Sequence, residues 1–240
     1  MESKLFHGRS RSSLALVAAT AALSAFVASP ASAQLAPPGA LFDLVTAHPG
    51  TLSGYQQFSF SFVAGVANTA VSFAFREQPA FFAFDDASVV LNGSSVNLLA
   101  NPGFETAVVG QTTPTGWGRF IQPVDVSAIG QVSSNSSPYG CSPNLAHGGT
   151  QFWCDGSVQG YDGLYQTLAT TIGSTYNVSF WLGDNSGSPP TTPTVDMLGY
   201  AGAGLPVGTI PVGAVPEPGT YALMLAGLGV VGFIARRRKA

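Results

Sequence analysis

Phe58-Ser59-Phe60-Ser61-Phe62-Val63 is followed at short intervals by Ala70-Val71-Ser72-Phe73-Ala74-Phe75 and Phe81-Phe82-Ala83-Phe84. Apolar residues recur at every second position, the spacing that places them on one face of a β-strand and not on one stripe of a helix. The same reading gives strands over 87–91, 163–169, 176–182 and 194–200, separated by clusters of Gly, Asn, Ser and Pro that form turns. No amphipathic helix interrupts them. Short strands at regular intervals predict an all-β body over 55–202, a β-sandwich or jelly roll whose two sheets bury the aromatic face. Charged residues make up only 9% of the chain, so Ser, Thr, Asn and Gly must solvate the loops.

Outward from the body, the two ends have a different composition. Lys4, Arg9 and Arg11 precede an apolar run over 14–27, and Ala31-Ser32-Ala33 supplies small residues in the Ala-x-Ala pattern. This order predicts a secretory signal peptide over 1–33, with cleavage leaving Gln34 first, a lead-in over 34–54, and the Sec export machinery as a partner. At the other end, a Gly/Pro linker is expected over 203–214. Pro216-Glu217-Pro218 then precede an apolar run over 221–235, opened by Tyr221 and closed by Ala235, and the basic end Arg236-Arg237-Arg238-Lys239. One C-terminal transmembrane helix is expected over 221–235. Fifteen helical residues rise about 22 Å, against a hydrocarbon core of about 30 Å, and snorkelling arginines make up the difference. The basic cluster stays cytoplasmic and leaves the body outside.

The formal net charge of −3 conceals a segregation. Between 34 and 214 stand ten acids against Arg76 and Arg119, a net −8, with no lysine. Such a surface repels phosphate backbones and excludes nucleic acid as a partner. Cys141 and Cys154 both fall in the exported body, where an oxidising compartment favours a disulfide. The alternative is a metal site with His147 between them, one ligand short of a closed zinc site.

Pro216-Glu217-Pro218, the short apolar helix and the terminal arginines closely resemble the PEP-CTERM sorting signal of Gram-negative bacteria. The resemblance implies a protein held in the inner membrane until an exosortase, a membrane enzyme with a cysteine nucleophile, cuts near the motif and passes the body to the cell surface or beyond. It also implies a biofilm and extracellular polysaccharide setting. An ordinary C-terminal anchor with a proline-rich stalk is the other reading of the same residues.

The run 97–105, Asn-Leu-Leu-Ala-Asn-Pro-Gly-Phe-Glu, with Thr115-Gly116-Trp117, resembles the opening of galactose-binding-like jelly rolls, the fold of many carbohydrate-binding modules. The residues 165–167 and 173–181 resemble a middle strand pair of that fold. Its Asp-rich closing strand has a likeness in Phe84-Asp85-Asp86-Ala87-Ser88-Val89, which here precedes the opening, so the strand order is permuted. Either one sandwich has a rotated order, or a partial first unit leads into a second. One sandwich is favoured, because the few strands of 41–96 could not bury their own face. The resemblance implies a structural calcium near Asp85, Asp86 and Glu105 as the possible cofactor; hard oxygen ligands suit that ion.

For a ligand, aromatics in Gly-rich loops stand out: Trp117, Tyr139, Trp153 and Tyr161, with Asp155 and Asp162 close in sequence. An aromatic platform beside carboxylates suits the apolar faces and hydroxyls of a sugar. Catalysis has less support. Past the signal peptide only His48 and His147 remain, and neither a G-x-S-x-G elbow nor an H-E-x-x-H helix occurs. The expected function is that of an exported structural or adhesive surface protein without enzymatic activity. The alternative is a carbohydrate-binding module, and a glycoside hydrolase built on Asp155 and Asp162 is a third reading.

Overall fold

A computed structural model describes residues 35–124, 126–191 and 194–212. The expected signal peptide and the segment from 213 onward, with its motif and expected transmembrane helix, lie outside the described residues. Eleven strands and one short helix make up the body: β1 Phe42–Asp43, α1 Leu44–Ala47, β2 Gln56–Val63, β3 Asn68–Glu77, β4 Phe82–Leu91, β5 Gly118–Ile121, β6 Gln131–Ser134, β7 Gln151–Asp155, β8 Asp162–Ala169, β9 Thr175–Asp184, β10 Val195–Gly202 and β11 Ile210–Pro211. Among the described residues no helix is long and apolar enough to cross a membrane.

The strands form two antiparallel sheets, a sandwich as expected. One has the order β1-β10-β3-β8-β5-β11 and the other β2-β9-β4-β7-β6. No two of β2, β3 and β4 are neighbours: β2 pairs with β9, β3 lies between β10 and β8, and β4 lies between β9 and β7. Early strands therefore interleave with late ones, and the body is one sandwich rather than a first unit followed by a second.

The alternation that marks each strand also builds the core. Phe73, Phe75, Leu164 and Met197 of the first sheet meet Phe82, Phe84, Phe180, Leu182 and Trp153 of the second, all fully buried. Phe84 lies 4.9 Å from Phe73 and 5.6 Å from Phe180, ring centroid to centroid, within the range of favourable aromatic pairing. The segments 81–84 and 87–91 prove to be one strand, β4, whose register with β9 shifts between Asp85 and Ser88. Asp86, at φ +47°, turns the bulge and ends the strict alternation there.

Sequence reading missed β1, α1, β5, β6, β7 and β11, all of five residues or fewer. Strands this short give too few repeats to display a period. The expected lead-in and linker are also partly built into the fold. Leu41 donates its N–H to Gly199 O, Tyr200 Oη donates to Pro37 O at 2.7 Å, and Val212 N to Arg119 O at 2.9 Å. Ala36 and Leu205 pack on a second cluster of Ala74, Phe120, Tyr161, Leu198 and Tyr200 on the outer face of the first sheet. Both ends of the body therefore shield an apolar surface that would otherwise be wet.

Candidate functional site

Cys141 and Cys154 form a disulfide, with Cα atoms 5.9 Å apart. The zinc alternative is corrected: both sulfurs are covalently joined, and the His147 ring turns away to Asp86. Cys154 lies in β7, so the bond pins the loop before β7 onto the sheet, beside the buried Phe152 and the half-buried Phe81.

Of the six residues proposed for sugar binding, Tyr139 alone is exposed. It stands at φ +53° with its ring edge-on to Phe81 at 5.3 Å. Trp117 is buried, stacked on Phe104 at 5.6 Å, and its Nε1 donates to Asn101 O. Trp153, Tyr161, Asp155 and Asp162 have no exposed surface. These five residues are core rather than platform: Trp153, Asp155 and Asp162 lie on the inner faces of β7 and β8, Trp117 packs in the core just before β5, and Tyr161 is covered just before β8. The same burial leaves Asp155 and Asp162 unable to reach a substrate, so the glycosidase reading loses its pair of acids.

Asp85, Asp86 and Glu105 do lie near one another, around the loop 147–151. Asp85 Oδ2 accepts from the N–H groups of His147 at 2.8 Å and Gly148 at 3.1 Å, and Oδ1 accepts from Asp86 N at 2.8 Å. Glu105 Oε1 accepts from Thr150 N and Gln151 N, each at 2.8 Å, and Oε2 from Thr150 Oγ1 at 3.0 Å. Gly149 takes a left-handed φ of +61°, which favours glycine. A Cβ on Gly148 would stand 2.5 Å from Asp86 Oδ2, and one on Gly149 2.4 Å from Glu105 Oε1. These carboxylates are taken up with backbone donors. Among the described residues no group of three or more His, Cys, Asp or Glu side chains is arranged to hold a metal ion. Burial pushes Asp85 up to about 7, against the pull of the Gly148 N–H, with Asp86 pushing it further the same way.

The residue that organises this surface is His147. Its Nδ1 lies 2.7 Å from Asp86 Oδ2, its ring stacks on Trp181 with centroids 3.8 Å apart, and Tyr55 meets it edge-on at 5.5 Å. Tyr55, Asp86, His147 and Trp181 come from four distant segments, and sequence reading marked only Asp86 for this place. The one signal was the position of His147 between the two cysteines. From Trp181, the outer face of β2, β9 and β4 continues as uncharged hydroxyls and amides. Ser59 lies opposite Ser179 and Ser179 opposite Ser88, while Ser61 Oγ donates to Asn177 Oδ1 at 2.9 Å.

Beyond β11 the chain leads into the segment that carries Pro216, Glu217 and Pro218. Residues 214–239 match the PEP-CTERM protein-sorting motif. The PEP-CTERM motif points to an exported, exosortase-targeted protein held at the membrane as a precursor. From Val212, bonded to β5, only four residues lead to Pro216, a reach of at most about 14 Å. No curated protein and no solved structure gives a significant match to the chain.

Proposed function

We propose that the chain is an exported surface protein, delivered through the Sec machinery and sorted by an exosortase, whose body has a structural or adhesive role in a biofilm or exopolysaccharide matrix and is not an enzyme. The observation that carries this reading is the PEP-CTERM motif joined by a few residues to an all-β sandwich. The acids of that sandwich support it. Among the described residues, Glu77, Asp155, Asp162 and Asp184 are buried between the sheets, Asp85 and Glu105 hold loop N–H groups, and Asp86 is engaged with His147. The test is intact mass and cell fractionation of the native protein, with and without the triple change Pro216→Ala, Glu217→Ala, Pro218→Ala. A mature species lacking both ends, absent in the variant, is the expected result. A native species still carrying 221–240 would make the protein a plain membrane-anchored one.

One observation favours carbohydrate binding as a second reading: the uncharged face of β2, β9 and β4 that ends at Trp181 and His147. Hydroxyls and amides bond sugar hydroxyls without the desolvation cost of a charge, and an indole edge offers apolar contact. The likeness to galactose-binding-like modules agrees with it. A pull-down on the producer's exopolysaccharide, lost on Trp181→Ala and retained on Tyr139→Ala, would assign binding to this face; retention in both variants would place binding elsewhere, and no pull-down at all would leave scaffolding.

A further inference from the structure

Between the sheets, at one end of the sandwich, the apolar alternation gives way to acids. Glu77 follows Phe73 and Phe75 on the inner face of β3, and Asp184 follows Phe180 and Leu182 on β9. Asp155 follows Trp153 on β7, and Asp162 precedes Leu164 on β8. Glu77, Asp155 and Asp162 have no exposed surface, and Asp184 is 5% exposed. The cation facing them is Arg119 of β5, whose Nε and Nη2 donate to Asp162 Oδ2 at 3.3 and 3.0 Å. Arg76, Tyr161, Asp196 and Tyr200 belong to the opposite face of the first sheet.

Asp155 and Asp162 are both fully buried beside Gly130, with one guanidinium for the pair, so one of the two carboxyls must carry a proton. Asp162 Oδ1 has no hydrogen-bond partner. Asp155 takes that proton role, because Asp162 is the member paired with Arg119. Its Oδ2 accepts from Trp153 Nε1 at 2.9 Å and its Oδ1 from Ser157 N at 3.0 Å. Glu77 is the more extreme case: neither of its oxygens has a partner, and it faces Asp184 across the interior. An ionised carboxylate in that position would be both unsolvated and uncompensated.

These groups hold two of the connections by which the chain crosses between sheets. Residues 122–130 lead from β5 in one sheet to β6 in the other, and residues 156–161 lead back from β7 to β8. Gly130 N donates to Asp162 Oδ2 at 3.2 Å, Ser157 N to Asp155, and Glu77 N to Ser157 O at 3.0 Å. The crossovers bond each other through Gly156 N to Ala128 O at 3.2 Å and Val158 N to Ser127 O at 3.1 Å. Gly130 admits no larger residue, since a Cβ there would stand 2.2 Å from the Trp153 ring and 2.3 Å from Asp155 Oδ2.

We propose that this end of the sandwich is a proton-operated clasp: with Asp155 and Glu77 neutral, the buried acids leave both crossovers in place, and loss of these protons in alkaline medium opens that end of the body. Ionising Asp155 sets two buried carboxylates against the single Arg119. Ionising Glu77 sets it against Asp184. Burial raises Glu77 to about 9 and, with the Asp162 charge second, lifts Asp155 well above the carboxylate range.

The sign follows from linkage. The folded body holds protons that the unfolded chain has released above the ordinary carboxylate range, so stability falls as pH rises toward 9. The window from pH 7.5 to 8.5 lies above Asp85, at about 7, and Asp196, at about 6, and therefore reports this end of the fold. Urea unfolding of the full body at those two pH values should show the folding constant dropping about tenfold for each retained proton, thus ten- to hundredfold in all. Glu77→Gln, which imitates the neutral acid, should remove about one factor of ten. Asp155→Asn should remove part or all of the other. Should Asp155→Asn fail to fold, hydrogen exchange of the native protein decides in its place. Protection at the Gly130 and Ser157 amides should fall first across the window, ahead of Phe73 and Val178, whose strands β3 and β9 are flanked on both sides. A pH-independent folding constant, an unchanged slope in Glu77→Gln, or a simultaneous fall at all four amides would overturn the clasp.

Discussion

The acids of the loop 147–151 and those of the sandwich end do the same job in opposite surroundings. Asp85, Asp86 and Glu105 anchor one connection from the outer face; Asp155 and Asp162 anchor two from within. Outside, water solvates what the backbone donors do not, and Asp86 is 40% exposed beside His147. Inside, a single guanidinium must serve a carboxyl pair, and a proton supplies the remaining compensation. A buried charge is tolerated only when paired, so the inner cluster depends on pH and on Arg119, whereas the outer one depends on its N–H donors.

The largest effect should come from Arg119→Met. It leaves Asp162 uncompensated and is expected to destabilise the body by about 3–5 kcal/mol at pH 8. The loss should be smaller at pH 5, where Asp162 takes up a proton. Urea denaturation at the two pH values measures this, and an equal loss at both would remove the contrast between inside and outside. Next is the disulfide. Opening the 13-residue separation by Cys141→Ala with Cys154→Ala should lower stability by about 3 kcal/mol in the chain-entropy description, read as a shift in Tm.

Asp85→Ala orphans three N–H groups and should destabilise by about 1–3 kcal/mol, seen first as faster proteolysis of the 135–150 loop. Because burial raises Asp85 to about 7, its contribution is full in acid and declines as pH rises through 7. The Asp86 and His147 pair lies partly in water, so Asp86→Asn should change stability by less than about 1 kcal/mol. A larger loss would mean that the outer cluster behaves like the inner one. Chelation with EDTA should leave Tm unmoved. A calcium-dependent rise would mean that Asp85, Asp86 and Glu105 rearrange around the ion.

The strands from Gln56 to Leu91 and from Asp162 to Gly202 were legible because each is eight residues or longer, although the bulge at Asp86 made β4 read as two segments. The site was less legible. Trp153 and Asp155 read as a loop platform because β7, only five residues long, has too little period to show that both point inward. Trp181 was counted as part of a strand, which it is, yet its outward position beside His147 depends on β9 pairing with β4 and β2. Glu77 and Asp184 drew no notice, since an acid at a strand end is ordinarily solvated.

By itself the sequence determined the all-β class, the faces of the long strands, the paired cysteines and the PEP-CTERM motif, because each is written in neighbouring residues and needs no partner to be recognised. The tertiary structure decided the interleaving of early and late strands, the burial of Asp155 and Asp162 against Arg119, and the meeting of Asp86 with His147, 61 residues apart. Period-two alternation states which face a residue takes but not which strand lies opposite, and the environment of a charge is set by that opposite strand.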